Sequence, residues 1–277
     1  PRAAFAWVTA RVRSEMTIPV ITSNRINTPD VAETIIARGD ADMVSMARPF
    51  LADANFVSKA ANGRGDEINT CIACNQACLD AIFNGKITSC LVNPFACNET
   101  EMILMPATAI KKIAVVGAGP AGLAAATTAA RRGHQVTLFD SAKEIGGQFN
   151  IAKRIPGKEE FYETIRYFAK EISISGVILK LGLRAGPKDL ASFDEVILAT
   201  GVMPRTPEII GIEHPKVVGY LDVINGTQVG KSVAVIGAGG IGFDISEFLI
   251  HTGVSSSQDI PNFMKEWGID MSMKARG

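Results

Sequence analysis

The chain has 277 residues, 47% of them apolar and 20% charged, and a formal net charge of zero. That length suggests one or two domains with globular composition, and the balanced charge argues against nucleic acid or an anionic membrane as partner. The first twenty residues hold charges and no continuous apolar core, so no signal peptide is expected. The expected setting is the cytoplasm, where clustered cysteines bind metal more often than they form disulfides.

In chain order, residues 3–15 read as a helix and "IPVITSN" (18–24) as a β-rich strand. "TPDVAETIIARGD" follows as a second helix, with Thr28 as N-cap, Pro29 in the first turn, Asp30 and Glu33 at the positive helix start, and Gly39 as C-cap. "ADMVSMARPF" (41–50) reads as a second buried strand. Helices alternating with strands predict an α/β fold with a parallel sheet. Arg25 and Arg48 sit just past the two strand ends. In (β/α)8 barrels the loops after strands 7 and 8 often build a phosphate site, and the forked donors of arginine suit a phosphate. The plain alternative is that both are surface loop residues. Two such units cannot close a barrel, and the chain opens on Pro1 and ends in "SMKARG", so it reads as an internal piece of a longer protein.

"CIACNQACLDAIFNGKITSC" (71–90) holds four of the five cysteines, spaced C-x2-C-x3-C-x11-C. Zinc ribbons use paired C-x2-C turns. Three thiols on one loop and a fourth at a distance instead suit an iron–sulfur cubane, whose irons favour soft thiolates. A thioredoxin-like C-x2-C would need a βαβ context that is missing around it. The candidate ligands are Cys71, Cys74, Cys78 and Cys90. Cys97, apart in "NPFACNE", is the least suited.

"KKIAVVGAGPAGLAAATTAARRGHQVTLFD" carries a dinucleotide fingerprint. Its apolar, glycine-rich run 113–130 is long enough for a membrane span, but a strand–turn–helix fits it better. A strand (112–116) runs into Gly117, Ala118, Gly119, Pro120, Ala121 and Gly122, then an alanine-rich helix capped by Gly133, then a strand ending in Asp140. Gly117 makes the turn, Gly119 lets backbone approach a pyrophosphate, Gly122 lets the helix pack on the strand, and Asp140 suits ribose hydroxyls. The helix N-terminus adds amide donors. The glycine pair in "KEIGGQFN" brings backbone close to something bulky, and "FDEVILATGVMPR" is a strand (196–198) ending in Ala199-Thr200-Gly201. A second fingerprint, "KSVAVIGAGGIGFDISEFLIHTG", predicts a strand over 233–236, a turn at Gly237, Gly239 and Gly242, and a helix over about 241–251. No following strand with an acid or arginine appears, so the choice between NADH and NADPH is not legible.

The paired nucleotide motifs are similar to the two-dinucleotide-binding flavoproteins. The whole order, with "SNRIN", "DADMVSMARPFLAD", "CNQACLD", "KEIGGQFN", "IPGKEEFYET" and "GAGGIGFD", resembles the old-yellow-enzyme-like iron–sulfur flavoproteins. Those stretches look like the bacterial NADPH-dependent 2,4-dienoyl-CoA reductases within that group. The resemblance implies four segments: the end of an FMN-binding TIM barrel (1–66), a 4Fe–4S segment and linker (67–106), the first part of an FAD domain (107–205), and the start of an NAD(P) domain (206–277). It implies FMN phosphate at Arg25, Ala47 and Arg48, and a 4Fe–4S cluster on the four cysteines. It places FAD at the first fingerprint, Asp140, Gly147 and Gln148 with its adenine near Arg184, and NADPH at Gly237, Gly239 and Gly242. The implied activity is NADPH-driven reduction of an acyl-CoA diene in unsaturated fatty-acid breakdown, with electrons relayed from FAD through the cluster to FMN. The family's proton donors are a Tyr and a His in the barrel, yet no Tyr or His precedes His134. The acid catalyst is therefore expected outside this sequence, and the chain by itself is expected to be inactive. An amine dehydrogenase or enoate reductase relative, and a non-catalytic electron-transfer subunit, are the alternatives.

Overall fold

The computed structural model describes residues 1–274. The chain divides into two compact units: Pro1–Met105 with Glu160–Lys170 and the residues from Val254 onward, and Pro106–Glu159 with Glu171–Gly253.

The first unit begins with helix α1 (Ala6–Arg13), strand β1 (Ile21–Thr22), helix α2 (Pro29–Ala37) and strand β2 (Met43–Val44). The two strands pair in parallel, Ile21 opposite Met43 and Thr22 opposite Val44. Ala6, Ile26, Ile35 and Ala41 form the small core between strands and helices. Thr28 occupies the N-cap position of α2 with Pro29 in the first turn, but its side chain makes no capping hydrogen bond. Gly39 follows the helix at φ +72°, donating to the Ile36 carbonyl at 2.9 Å, as a left-handed C-terminal glycine does.

The expected strand over 41–50 is shorter than its sequence suggested. Only Met43 and Val44 pair, and Arg48 already opens helix α3 (Arg48–Ala52). Pro49 explains the break, since proline has no N–H for a ladder but fits a first helical turn. Helices α4 (Phe56–Ala61) and α5 (Leu79–Phe83) follow, and the cysteine segment is otherwise loop.

The second unit is built on a parallel sheet. Strand β3 (Lys112–Val116) leads into α6 (Pro120–Arg131) and β4 (Gln135–Phe139), with Lys112 opposite Gln135 and Val116 opposite Phe139. Helix α7 (Phe149–Ala152) comes next, then α8 (Phe161–Ser175), whose residues from Glu171 belong to this unit. Strand β5 (Ile178–Lys180), helix α9 (Pro187–Leu190) and strand β6 (Glu195–Leu198) complete a sheet of order β5-β4-β3-β6. Ala114, Val115, Leu138 and Phe139 are buried in its centre, and Leu123 and Ala126 of α6 are buried with them. The two central strands β3 and β4 are buried continuously rather than on alternate residues, as in the middle of a parallel sheet, while β5 and β6 stay exposed.

Helices α10 (Tyr220–Ile224) and α11 (Gly240–Ile250) pack with α7 around Ile155, Ile224 and Ile245. The strand expected over 233–236 does not form. A parallel strand exists only through a neighbour's N–H and C=O groups, and no described strand pairs with this one. Val233 and Ile236 stay exposed, the latter at 73%. The second nucleotide fold is thus represented by its turn and helix alone.

Candidate functional site

The cysteine loop is positioned from several directions. Asp53, buried at the end of α3, pairs with Lys59 at 2.6 Å and accepts from the backbone N–H of Asn69 at 2.9 Å. Asn69 donates to the Val92 carbonyl at 2.8 Å, Asn93 to Leu51 at 2.8 Å, and Asn27 to Cys71 at 2.9 Å. These side-chain amides stand in for secondary structure where the chain has none. Ala73 and Asn75 take positive φ, +53° and +61°, which is uncommon for residues other than glycine. The turn brings the Ala73 N–H to the Cys71 Sγ at 3.4 Å.

The result is that Cys71, Cys74, Cys78 and Cys90 line one small cavity together with Arg48 and Asn75, while Cys97 is exposed and does not line it. All five are free thiols. Among the described residues, no three His, Cys, Asp or Glu side chains converge tightly enough for a single metal ion. Four thiols on the walls of one cavity are the donor set that a cubane cluster takes, each thiolate on a different iron. Burial pushes the Cys71 and Cys90 thiols up, with backbone N–H groups opposing in both and Arg48 and Arg25 pulling Cys71 down. A metal must displace those protons, since the thiolate is the ligand.

Beside it lies a cavity of about 340 Å³ lined by Arg25, Asn27, Ala47, Arg48 and their chain neighbours, with Cys71 and Ala73. Arg25 sits at φ +56° just past β1. Its Nη2 reaches Glu160 Oε1 at 3.2 Å, and Glu160 is also gripped by Arg2 at 2.7 Å. The buried Arg25 Nη1 and Asn27 Oδ1 have no partner among the described residues. A buried unpaired guanidinium N–H is costly, and an anion in this cavity would satisfy it. Arg48, the other expected phosphate residue, donates Nη1 to Asn75 Oδ1 of the cysteine loop. Arg25 and Arg48 are thus brought together, but they are committed differently.

In the second unit, Gly117 turns at φ +109°, and a Cβ there would lie 2.2 Å from the Ala199 carbonyl oxygen. The Ala199 N–H donates to Val116 at 2.8 Å, so the Ala-Thr-Gly stretch forms the wall behind the fingerprint. Gly119 is the N-cap of α6 with Pro120 in the first turn. Ala118 is buried, Ala121 exposed, and Gly122 packs against the Gly117 carbonyl. A Cβ on Gly119 would meet nothing closer than the Gly147 Cα at 3.9 Å. That leaves an open cradle at a helix N-terminus, which fits a pyrophosphate. Asp140 accepts from the N–H of Ala118 at 2.6 Å and of Ala142 at 2.7 Å. It ties the loop down and keeps lone pairs on both oxygens for ribose hydroxyls.

The glycine pair of "KEIGGQFN" covers this turn. Gly146 donates to Ala118 at 2.8 Å, and a Cβ on Gly147 would come within 3.0 Å of the Gly119 Cα. Gln148 donates to the Val202 carbonyl at 2.9 Å. Arg184 is exposed, and its neighbour Leu183 donates to the Asp140 carbonyl at 2.9 Å. Gly237, at φ +113°, and Gly239 have nothing within 4 Å of a built Cβ, while Gly242 packs on the Gly237 carbonyl as Gly122 packs on Gly117.

Residues 111–268 match the pyridine nucleotide-disulphide oxidoreductase family. The chain belongs to that family. Residues 1–67 of this family member match the NADH:flavin oxidoreductase / NADH oxidase family. It is 38% identical over 267 residues to a metal reductase of Desulforamulus reducens, covering 94% of this chain and 40% of that protein. A solved 2-naphthoyl-CoA reductase superposes with a TM-score of 0.87 at 30% identity, over 96% of this chain and 44% of that one. A histamine dehydrogenase from Rhizobium sp. 4-9 gives 0.65 at 29% identity, over 72% and 30%. The chain therefore spans less than half the length of each of these relatives. No described helix is long and apolar enough to cross a membrane.

Asn75, Asn27, Asp53 and Glu160 were missed by sequence reasoning. Asn75, Asn27 and Glu160 meet partners 27, 44 and 158 residues away, and Asp53 reaches Asn69 as well as nearby Lys59, so no motif spacing signals them.

Proposed function

We propose that this chain is part of a flavoprotein reductase that uses NADPH to reduce a 2,4-dienoyl-CoA, holding FMN, a 4Fe–4S cluster and FAD, with a TIM barrel in the whole protein. The observation that carries this reading is a pair of adjoining cavities. One is lined by four thiols, the other holds an unpartnered buried arginine N–H, and Arg48 and Cys71 line both. When bound, flavins supply hydride and single-electron transfer, and a cubane carries one electron at a time.

The chain's own residues provide the binding. Arg25 Nη1 holds a phosphate while Glu160 fixes the rest of its guanidinium. Cys71, Cys74, Cys78 and Cys90 supply thiolates, with the Ala73 N–H donating to Cys71 Sγ and favouring its charged form. The N–H groups of Gly119, Ala121 and Gly122 at the start of α6 would face the FAD pyrophosphate, and Asp140 fixes their loop through Ala118. Gly237, Gly239 and Gly242 repeat the cradle for NADPH. None of the chain's residues before His134 is a Tyr or His, so a general acid of that type comes from elsewhere in the whole protein. The similarity to a 2-naphthoyl-CoA reductase supports an acyl-CoA substrate. Similarity to a histamine dehydrogenase supports the second reading, an amine-oxidising relative.

The test is turnover by a whole protein carrying this chain. Anaerobic NADPH oxidation should depend on an added 2,4-dienoyl-CoA. Turnover with amines and none with the thioester would replace this reading by the second.

A further inference from the structure

Two residues, Arg48 and Cys71, line both cavities of the first unit. Arg48 is the cation between them. Its backbone is fixed by the first turn of α3, where Pro49 is buried. Its Nη1 donates to the side-chain carbonyl of Asn75, inside the cysteine loop and next to Cys74. Asn75 stands in the left-handed region at φ +61°, a conformation that persists only where surroundings hold it. Arg48 also lines the larger cavity, whose other arginine, Arg25, has a buried Nη1 with no partner among the described residues.

We propose that Arg48 is a positioning residue that couples the two cavities, so that an anion in the larger one and an added electron on the cysteine-held cluster oppose each other. The inference rests on reading the four cysteines as cluster ligands. A fixed positive charge stabilises the more negative, reduced form of a cluster, and an anion seated against that charge offsets it. Linkage is reciprocal. The factor by which the anion disfavours reduction is the factor by which reduction weakens the anion. Asn75 enforces the coupling by keeping the guanidinium against the loop.

The experiment is a one-electron titration with dithionite, followed by the reduced cluster's paramagnetic signal, on the full chain reconstituted anaerobically with iron and sulfide. It is run with inorganic phosphate and with chloride at matched ionic strength. In the parent chain, phosphate should lower the midpoint potential, and reduction should raise the phosphate Kd by the same factor. Arg48→Met should lower the potential in chloride and abolish the phosphate response. Arg48→Lys, which keeps the charge, should restore the chloride value. Asn75→Ala keeps the charge but frees it, and should shrink the phosphate response. A cluster-loaded Arg48→Met chain with the parent's potential and phosphate response overturns the proposal. If that variant takes up no iron, an undiminished response in Asn75→Ala overturns it instead. A parent chain that takes up no iron overturns the cluster reading and the coupling together, so the two failures are told apart.

Discussion

Gly122→Ala should destabilise the nucleotide-binding unit, whereas Gly119→Ala, three residues earlier, should not. A Cβ at Gly122 lies 1.7 Å from the Gly117 carbonyl oxygen and 2.9 Å from its carbon. Carbon–oxygen contacts settle near 3.3 Å, so something must yield by about 1.6 Å. Both atoms are backbone, and the Gly117 N–H is tied to Phe139 at 2.7 Å. Overpacking costs about 1–3 kcal/mol, and a rigid neighbour places this case at the upper end. Alanine is the better helix former by about 1 kcal/mol, which leaves a net loss of about 2 kcal/mol. At about 2–4 °C per kcal/mol for a unit of this size, Tm should fall by about 4–8 °C. At Gly119 the built Cβ meets only Gly147 at 3.9 Å and φ is −77°, so stability should change by less than about 0.5 kcal/mol. That methyl points into the open cradle, so FAD affinity should fall while Tm holds. Calorimetry with a flavin-fluorescence titration separates the two effects. A Gly122→Ala chain that melts with the parent would refute the packing argument.

Serine in place of Cys71, Cys74, Cys78 or Cys90 should remove iron after reconstitution, while Cys97→Ser should keep the parent's iron, as read by metal analysis. Loss on Cys97→Ser and retention on Cys90→Ser would reassign the remote ligand. Acid stability should depend on Glu163. Burial raises its carboxyl, but hydrogen bonds from Arg166 at 2.7 Å and Arg2 at 3.2 Å outweigh that and hold it below its ordinary 4.5. A lowered carboxyl contributes stability above its unfolded pKa and loses it as pH falls through the folded one. Thermal unfolding followed from about pH 6 to about pH 3 should therefore show a shallower acid decline in Glu163→Gln than in the parent.

The first fingerprint was legible almost to the residue, because a strand, three glycines, a helix and an acid follow each other within one local unit. The second uses the same letters, yet its strand is missing. Residues 233–236 carry the apolar pattern, but a ladder needs a partner that no local pattern supplies. The end of "ADMVSMARPF" went wrong for a local reason, since Pro49 was read as the end of a strand when it opens a helix. The cysteine spacing pointed to a shared site, and the four thiols do line one cavity. Its supports were not legible, because Asn27, Asp53 and Asn93 reach 44, 16 and 42 residues along the chain. Asp140 acquired a role the motif did not state, as the clamp on Ala118.

The most direct test of the account is anaerobic iron and acid-labile sulfide analysis of the chain, with zinc measured on the same sample. Four thiols on the wall of one cavity, read as the ligands of a cubane, predict about four irons and four sulfides per chain. One zinc per chain and no sulfide would contradict it.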